Sequence, residues 1–189
     1  MSSNSTSKKE EDLVVIYKMA LGLEKRFPGN NGAFAYGTRL CEEVGELVEV
    51  LNNIHSTHLA PEKKHHFIKE SEDVLQIVQG VLGIYKLNHR LPYQLEAFFA
   101  DQLLLPTKDS IIALSIAAGA FADTINHIES QGIKQMKHGN NAEDRLVKAA
   151  SQLTEHVARF VQSYDVLEEF EAQIQKDYDF LRSEGNITE

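Results

Sequence analysis

The sequence has a single cysteine, Cys41, and no tryptophan. One thiol cannot close an intramolecular disulfide or build a zinc cage of several thiolates. Only four prolines interrupt 189 residues, so long helices are allowed over most of the chain. No uninterrupted apolar run approaches the ~18 residues of a membrane span. The opening MSSNSTSKKEED lacks the apolar centre of a signal peptide. Both absences point to the cytoplasm and away from a membrane partner. Positive charge is scarce too: 19 Lys and Arg against 28 Asp and Glu leave a net charge of −9. That excess argues against nucleic acid or an anionic surface as partner. An anionic small ligand would need a local cation, and a divalent metal is the simplest.

Helical periodicity fills what remains. Hydrophobic content of 42% supports a proper core, and a chain this size buries about 70% of its unfolded surface. Residues 1–10 are Ser, Asn, Lys and Glu-rich and read as a disordered tail. The apolar period predicts helices over Asp12–Arg26, Phe34–Ile54, Glu62–Leu87, Pro92 to about Leu104, Lys108–Ser130, Ala142–Ser163 and Val166–Ser183. The stretches FPGNNG and QGIKQMKHGNN separate them. No segment alternates convincingly as a strand. The expected class is all-α, a helical bundle.

The two halves of the chain resemble each other. EVGELVEVLN (43–52) aligns with AAGAFADTIN (117–126), matching Gly45 to Gly119 and Asn52 to Asn126. Phe67, Val74, Val78, Val81 and Tyr85 are answered 79 positions later by Leu146, Leu153, Val157, Phe160 and Tyr164. The apolar stripe is kept while acids vanish: Glu43, Glu46, Glu70 and Asp73 become Ala117, Ala120, Ala149 and Gln152. A duplication whose second copy lost its acids accounts for the shared landmarks.

Those acids are oddly placed. In FIKESEDVLQIVQGVLGIY (67–85), Glu70 falls amid Phe67, Val74, Ile77, Val78, Val81 and Tyr85 on the helical wheel. Asp73 lies on the edge of that stripe, and Glu72 on the opposite side, where a solvated acid is expected. A carboxylate facing a core is usually protonated, paired or metal-bound, because leaving it bare costs several kcal/mol or more. Glu43-x-x-Glu46 on one helix and Glu70-x-x-Asp73 on the next can converge four carboxylates if the helices run antiparallel. Oxygen donors of this kind suit Mg²⁺ or Mn²⁺.

RLCEEVGELVEVLN with its distant ExxD partner resembles the MazG-like all-α NTP pyrophosphohydrolases, relatives of the dimeric dUTPases. The resemblance covers about residues 12–105. It implies that Glu43, Glu46, Glu70 and Asp73 hold Mg²⁺, and that Glu42 is an outer ligand or the water-activating base. It implies a nucleoside triphosphate as substrate, hydrolysed to the monophosphate and pyrophosphate. Family members commonly pair equivalent subunits. Here residues 107–185, a degenerate second half, stand where a partner would pack on the acid-bearing half, residues 11–106. That makes a pseudo-dimer within one chain, and a homodimer through other surfaces stays open.

Other residues are weaker candidates. Asn31, Phe34 and Tyr36 precede the acidic helix and could contact a base, and Lys134 and Lys137, beside His138, could reach phosphates. Lys176 and Arg182 on the last helix are further options. His55, His58, His65 and His66 read as a solvated turn. Glu62-x-x-His65 is half of a di-iron motif whose second Glu-x-x-His is missing. No Walker loop occurs. The alternative to an enzyme is a catalytically silent helical nucleotide-binding or regulatory module.

Overall fold

A computed structural model of the chain describes residues 11–29, 32–54, 59–101, 106–130 and 141–187. Among them lie six α-helices and no strand, as the periodicity predicts. They are α1 (Asp12–Arg26), α2 (Ala33–Asn52), α3 (Pro61–Ile84), α4 (Lys108–Ser130), α5 (Ala142–Ser163) and α6 (Leu167–Ser183). The tail before residue 11, Asn31, His55, His58, Lys134, Lys137 and His138 lie outside the described residues.

Local chemistry starts the helices where the sequence places them. Pro61 sits in the first turn of α3, where its missing N–H costs nothing. Thr107 and Ser110 cap α4 reciprocally: the Thr107 N–H donates to Ser110 Oγ at 2.8 Å, and the Ser110 N–H to Thr107 Oγ1 at 3.2 Å. The predicted helix from Pro92 does not form. Two short 3₁₀ turns, Asn88–Arg90 and Leu95–Phe98, take its place. They drop Leu91, Leu95 and Phe98 into the core, and the Tyr93 carbonyl accepts from the Leu13 N–H at 3.0 Å. A strap that must put apolar residues down at irregular intervals gains more from those anchors than from one short helix.

Helices α2, α3, α5 and α4 pack in a closed ring, each touching the next. α1 and α6 pack on each other and on the remaining side of α3. α3 is therefore enclosed by four helices, and Phe67, Val74, Leu75, Ile77, Val78, Val81 and Leu82 are fully buried. Each such side chain contributes roughly 1.5–3 kcal/mol. Two glycines let neighbours lie against the α3 backbone. A Cβ at Gly80 would fall 2.7 Å from Tyr36 Cζ, and one at Gly83 2.5 Å from Tyr17 Cε2. Tyr36 is thus a core residue, which corrects its expected role in contacting a base. Its hydroxyl donates to Glu24 Oε1 at 2.9 Å.

α4 departs from the sequence reading in one respect. Its stretch Lys108–Glu129, 22 residues with an 18-residue window of mean hydropathy 1.4, is long and apolar enough to cross a membrane. In the bundle its buried face packs on α2 and α5, while Ile112 and Ile116 are exposed.

α3 and α5 end alike. Lys86 and Asp165, 79 positions apart, take φ of 58° and 53°. The Leu87 N–H reaches back to the Leu82 carbonyl at 2.8 Å, and the Val166 N–H to the Val161 carbonyl at 3.2 Å. Both are Schellman closures with a non-glycine residue in the left-handed region. The stripe of Leu146, Leu153, Val157 and Phe160 is buried like its counterpart on α3.

Because α4 and α5 cover apolar faces of α2 and α3, truncation after Pro106 strips those faces bare. The fragment 1–106 is expected to be insoluble or self-associated. Size-exclusion chromatography with light scattering checks this, and a well-behaved monomer would contradict it.

Candidate metal centre and adjoining cavity

Residues 43 and 46 lie one turn apart on α2, and residues 70 and 73 one turn apart on α3. Packing of α2 on α3 brings these two pairs together. Ligand atoms of Glu43, Glu70 and Asp73 lie within 4.8 Å of one another, as do those of Glu46, His66 and Glu70. Glu70 belongs to both groups. It is only 5% exposed, and among the described residues its Oε2 has no hydrogen-bond partner. Glu43 is also buried, Asp73 half-buried and Glu46 exposed.

Two cations and a histidine stand one turn before three of the acids. Arg39 Nη2 is 3.2 Å from Glu43 Oε1, His66 Nε2 is 3.1 Å from Glu70 Oε1, and Lys69 pairs with Asp73. They do not neutralise the cluster fully. Burial, a proton shared with Glu46, and the charges of Asp73, Glu46 and Glu43 push Glu70 up to about 8. Burial and the Asp73 charge raise Glu43 despite Arg39. Burial pulls Lys69 down, but its bond to Asp73 and the nearby acids outweigh that and leave it raised.

The other sequence candidates are dispersed. Glu42 is exposed on α2 and belongs to neither group. Phe34 is exposed at the start of α2. His66, read in the sequence as part of a solvated turn, is instead a neighbour of Glu70. His65 and Glu62 are exposed and belong to neither group, as are Lys176 and Arg182 on α6.

Glu72 is the clearest correction. It is fully buried rather than solvated, because α1 and α6 cover the side of α3 away from the acid cluster. Its Oε1 accepts from Gln76 Nε2 at 2.8 Å. Burial and the charges of Asp177 and Asp73 push it up to about 8, against Lys69 and Gln76. A signal existed in the sequence: Ile68, Leu75 and Leu82 form a second apolar stripe flanking Glu72.

A cavity of about 340 Å³ opens beside the acids, between α1, α3 and α6. Met19, Leu23 and Leu181 make it apolar, and Phe180 adds an aromatic face. Arg39, Lys69 and Asp73 belong to its lining as well as to the acid cluster, so cavity and cluster share a wall. Arg26, Gln76 and Asp177 complete it. The Arg26 guanidinium lies 5.1 Å from the centre of the Phe180 ring. None of Arg26, Arg39, Lys69, Gln76, Asp177 or Phe180 was singled out from sequence. The spacing of Arg39 and Lys69, each four residues before an acid, could have suggested two of them.

Comparison of the chain with protein-family models, curated proteins and solved structures finds no match.

Glu70 and Glu72 hold protons in the fold up to about pH 8, against an ordinary value of 4.5. The folded state therefore binds more protons between those limits. The resulting stability is complete below about pH 4.5 and is lost as pH rises through about 8. The metal-free protein should lose a few kcal/mol over that window, read as a falling urea midpoint. Glu72→Gln removes one titrating group and should flatten the decline. An unchanged slope in that variant would refute the burial-driven shift.

Proposed function

We propose that the protein is a Mg²⁺-dependent nucleoside triphosphate pyrophosphohydrolase, releasing a nucleoside monophosphate and pyrophosphate. The observation that carries the reading is Glu70: a buried carboxylate with one oxygen lacking a partner, ringed by Glu43, Glu46 and Asp73. The donor set fits a hard divalent cation. It is mainly carboxylate oxygen, and the 4.8 Å grouping needs little contraction to reach the roughly 3–4 Å between ligands of one Mg²⁺. His66 beside Glu46 and Glu70 adds a nitrogen donor, which favours Mn²⁺ as the alternative ion.

Glu43, Glu46, Glu70 and Asp73 would hold the metal. When bound, it supplies charge neutralisation of the triphosphate oxygens and polarisation at phosphorus. The chain's own residues do the rest. With Glu43 and Asp73 committed to a metal, their present partners Arg39 and Lys69 would be free to meet phosphate oxygens at the edge of the cavity. Glu42, exposed one turn before Glu46, accepts a proton from the water that attacks the α-phosphorus as the bond to the pyrophosphate oxygen breaks. The buried stripe and the matched Schellman ends 79 residues apart support reading residues 107–185 as a degenerate repeat that takes the place of a partner subunit.

Glu70→Gln keeps volume and removes charge, so pyrophosphate release should fall by about a hundredfold or more. Mg²⁺ or Mn²⁺ at a hundredfold excess over Kd should stabilise the wild type by roughly 2.7 kcal/mol and the variant far less. Glu62→Gln, an exposed change at the start of α3, is the control and should behave as wild type. Equal metal-induced shifts in wild type and Glu70→Gln would place the ion elsewhere.

Metal binding must also displace the proton on Glu70. Apparent metal affinity should therefore rise with pH between about 6 and 8, then level off. Titration calorimetry in two buffers of different ionisation enthalpy measures the released proton. PH-independent binding without proton release would exclude Glu70 as a ligand.

A further inference from the structure

The cavity beside the acids is furnished asymmetrically. Two of its three cations, Arg39 and Lys69, lie at the wall shared with the cluster, through their pairs with Glu43 and Asp73, and the third, Arg26, stands against Phe180. The α6 wall carries Phe180 and Asp177, with Gln76 opposite on α3. At about 340 Å³ the space lies at the small end of the range for ligand pockets and suits a nucleoside.

Away from the acids the lining offers two acceptors, Gln76 Oε1 and the Asp177 carboxylate, beside the Arg26 guanidinium. Gln76 is 5% exposed. Its Nε2 donates to Glu72 Oε1 at 2.8 Å, a bond the carboxyl group accepts in either charge state. In this arrangement Nε2 is given to Glu72 and Oε1 is the end left over. Among the described residues, Gln76 Oε1 then has no hydrogen-bond partner. Asp177, also in the lining, accepts from Gln173 Nε2 at 2.8 Å through Oδ2, and its carboxylate can accept further bonds. A buried acceptor without a donor costs free energy, and a ligand bringing N–H groups to this end relieves that cost.

We propose that this cavity is the nucleoside pocket of the site and that it selects bases carrying an exocyclic amino group. The proposal rests on the pyrophosphohydrolase reading for its phosphate end. The base lies along the wall where the Arg26 guanidinium stacks on the half-exposed Phe180 ring. An amino group, as on cytosine or adenine, offers two N–H donors to Gln76 Oε1 and Asp177. Uracil and hypoxanthine place a carbonyl at the corresponding position, so lone pairs would meet lone pairs. The triphosphate then extends past Arg39 and Lys69 to the carboxylates.

The test uses two near-isosteric pairs, CTP against UTP and ATP against ITP. Pyrophosphate release is measured with Mg²⁺ on the full chain. In parallel, saturation-transfer NMR follows binding of cytidine, uridine, adenosine and inosine without metal. The amino-bearing member of each pair should be favoured by about tenfold or more in kcat/KM. Asp177→Asn, whose amide can donate as well as accept, should bring that ratio towards parity. Equal turnover within both pairs, or a full preference retained by Asp177→Asn, would overturn the proposal while leaving hydrolysis standing. If no nucleotide yields pyrophosphate, the hydrolase reading falls, and the nucleosides decide separately. Preferential binding of cytidine and adenosine, weakened by Asp177→Asn, supports the pocket. Indiscriminate or absent binding refutes it.

Discussion

Enclosing α3 between α1, α2, α5 and α6 compels its polar groups to find their partners inside the protein. From Glu70 to Gln76 the helix presents four buried polar residues, Glu70, Ser71, Glu72 and Gln76. Water cannot satisfy them there. Each of the four has a buried side-chain atom without a hydrogen-bond partner among the described residues. The two sides of the helix meet the problem differently. Towards α2, Glu70 faces other acids and a histidine; towards α6, Glu72 folds onto Gln76 and keeps a proton. The acid cluster and the cavity are thus two consequences of one enclosure.

The cations beside the acids are better understood as occupants than as struts. All three pairs run from a basic side chain to an acid four residues later, the less favourable orientation for a helix. Exposed pairs of that type contribute about 0.3–0.5 kcal/mol. That is small against the repulsion among four neighbouring carboxylates, which here is relieved largely by protonation of Glu70. Both the cations and the proton are there to offset the charge of the acids. A site so balanced can exchange them for another cation with little rearrangement of the backbone.

Most of the helical layout was legible in the sequence because it depends on one-dimensional periodicity. The acid pairs were legible for a related reason: i and i+3 fall on one face of a helix whatever surrounds it. What could not be read was which faces would be covered. Glu72 looked solvated because a helical wheel assumes one buried side, whereas α3 has two. Tyr36 looked available to a ligand until the absence of a side chain at Gly80 drew it onto α3. The cavity depends on α6 meeting α1 and α3, so Asp177 and Phe180, more than a hundred residues from the acids, carried no local signal. Pro92 misled because it suits a first helical turn equally well as a bend between two 3₁₀ turns.

The difference between the two halves has a physical logic. Carboxylates gathered where α2 meets α3, two of them buried, oppose the bundle's stability, and a second such cluster would oppose it again. At the positions matching the acids, α4 and α5 carry Ala117 and Ala149, both buried. They leave that side free of charge, so packing there meets no repulsion. The stripe that matches the apolar face of α3 is retained on α5, and so is the Schellman closure after it. Apolar packing on one side of the ring can therefore offset the strain of the acids on the other. Strained functional groups persist where the surrounding structure over-determines their position. Here that surrounding structure is the pair α4 and α5, which packs on α2 and α3 while adding no charge at positions 117 and 149.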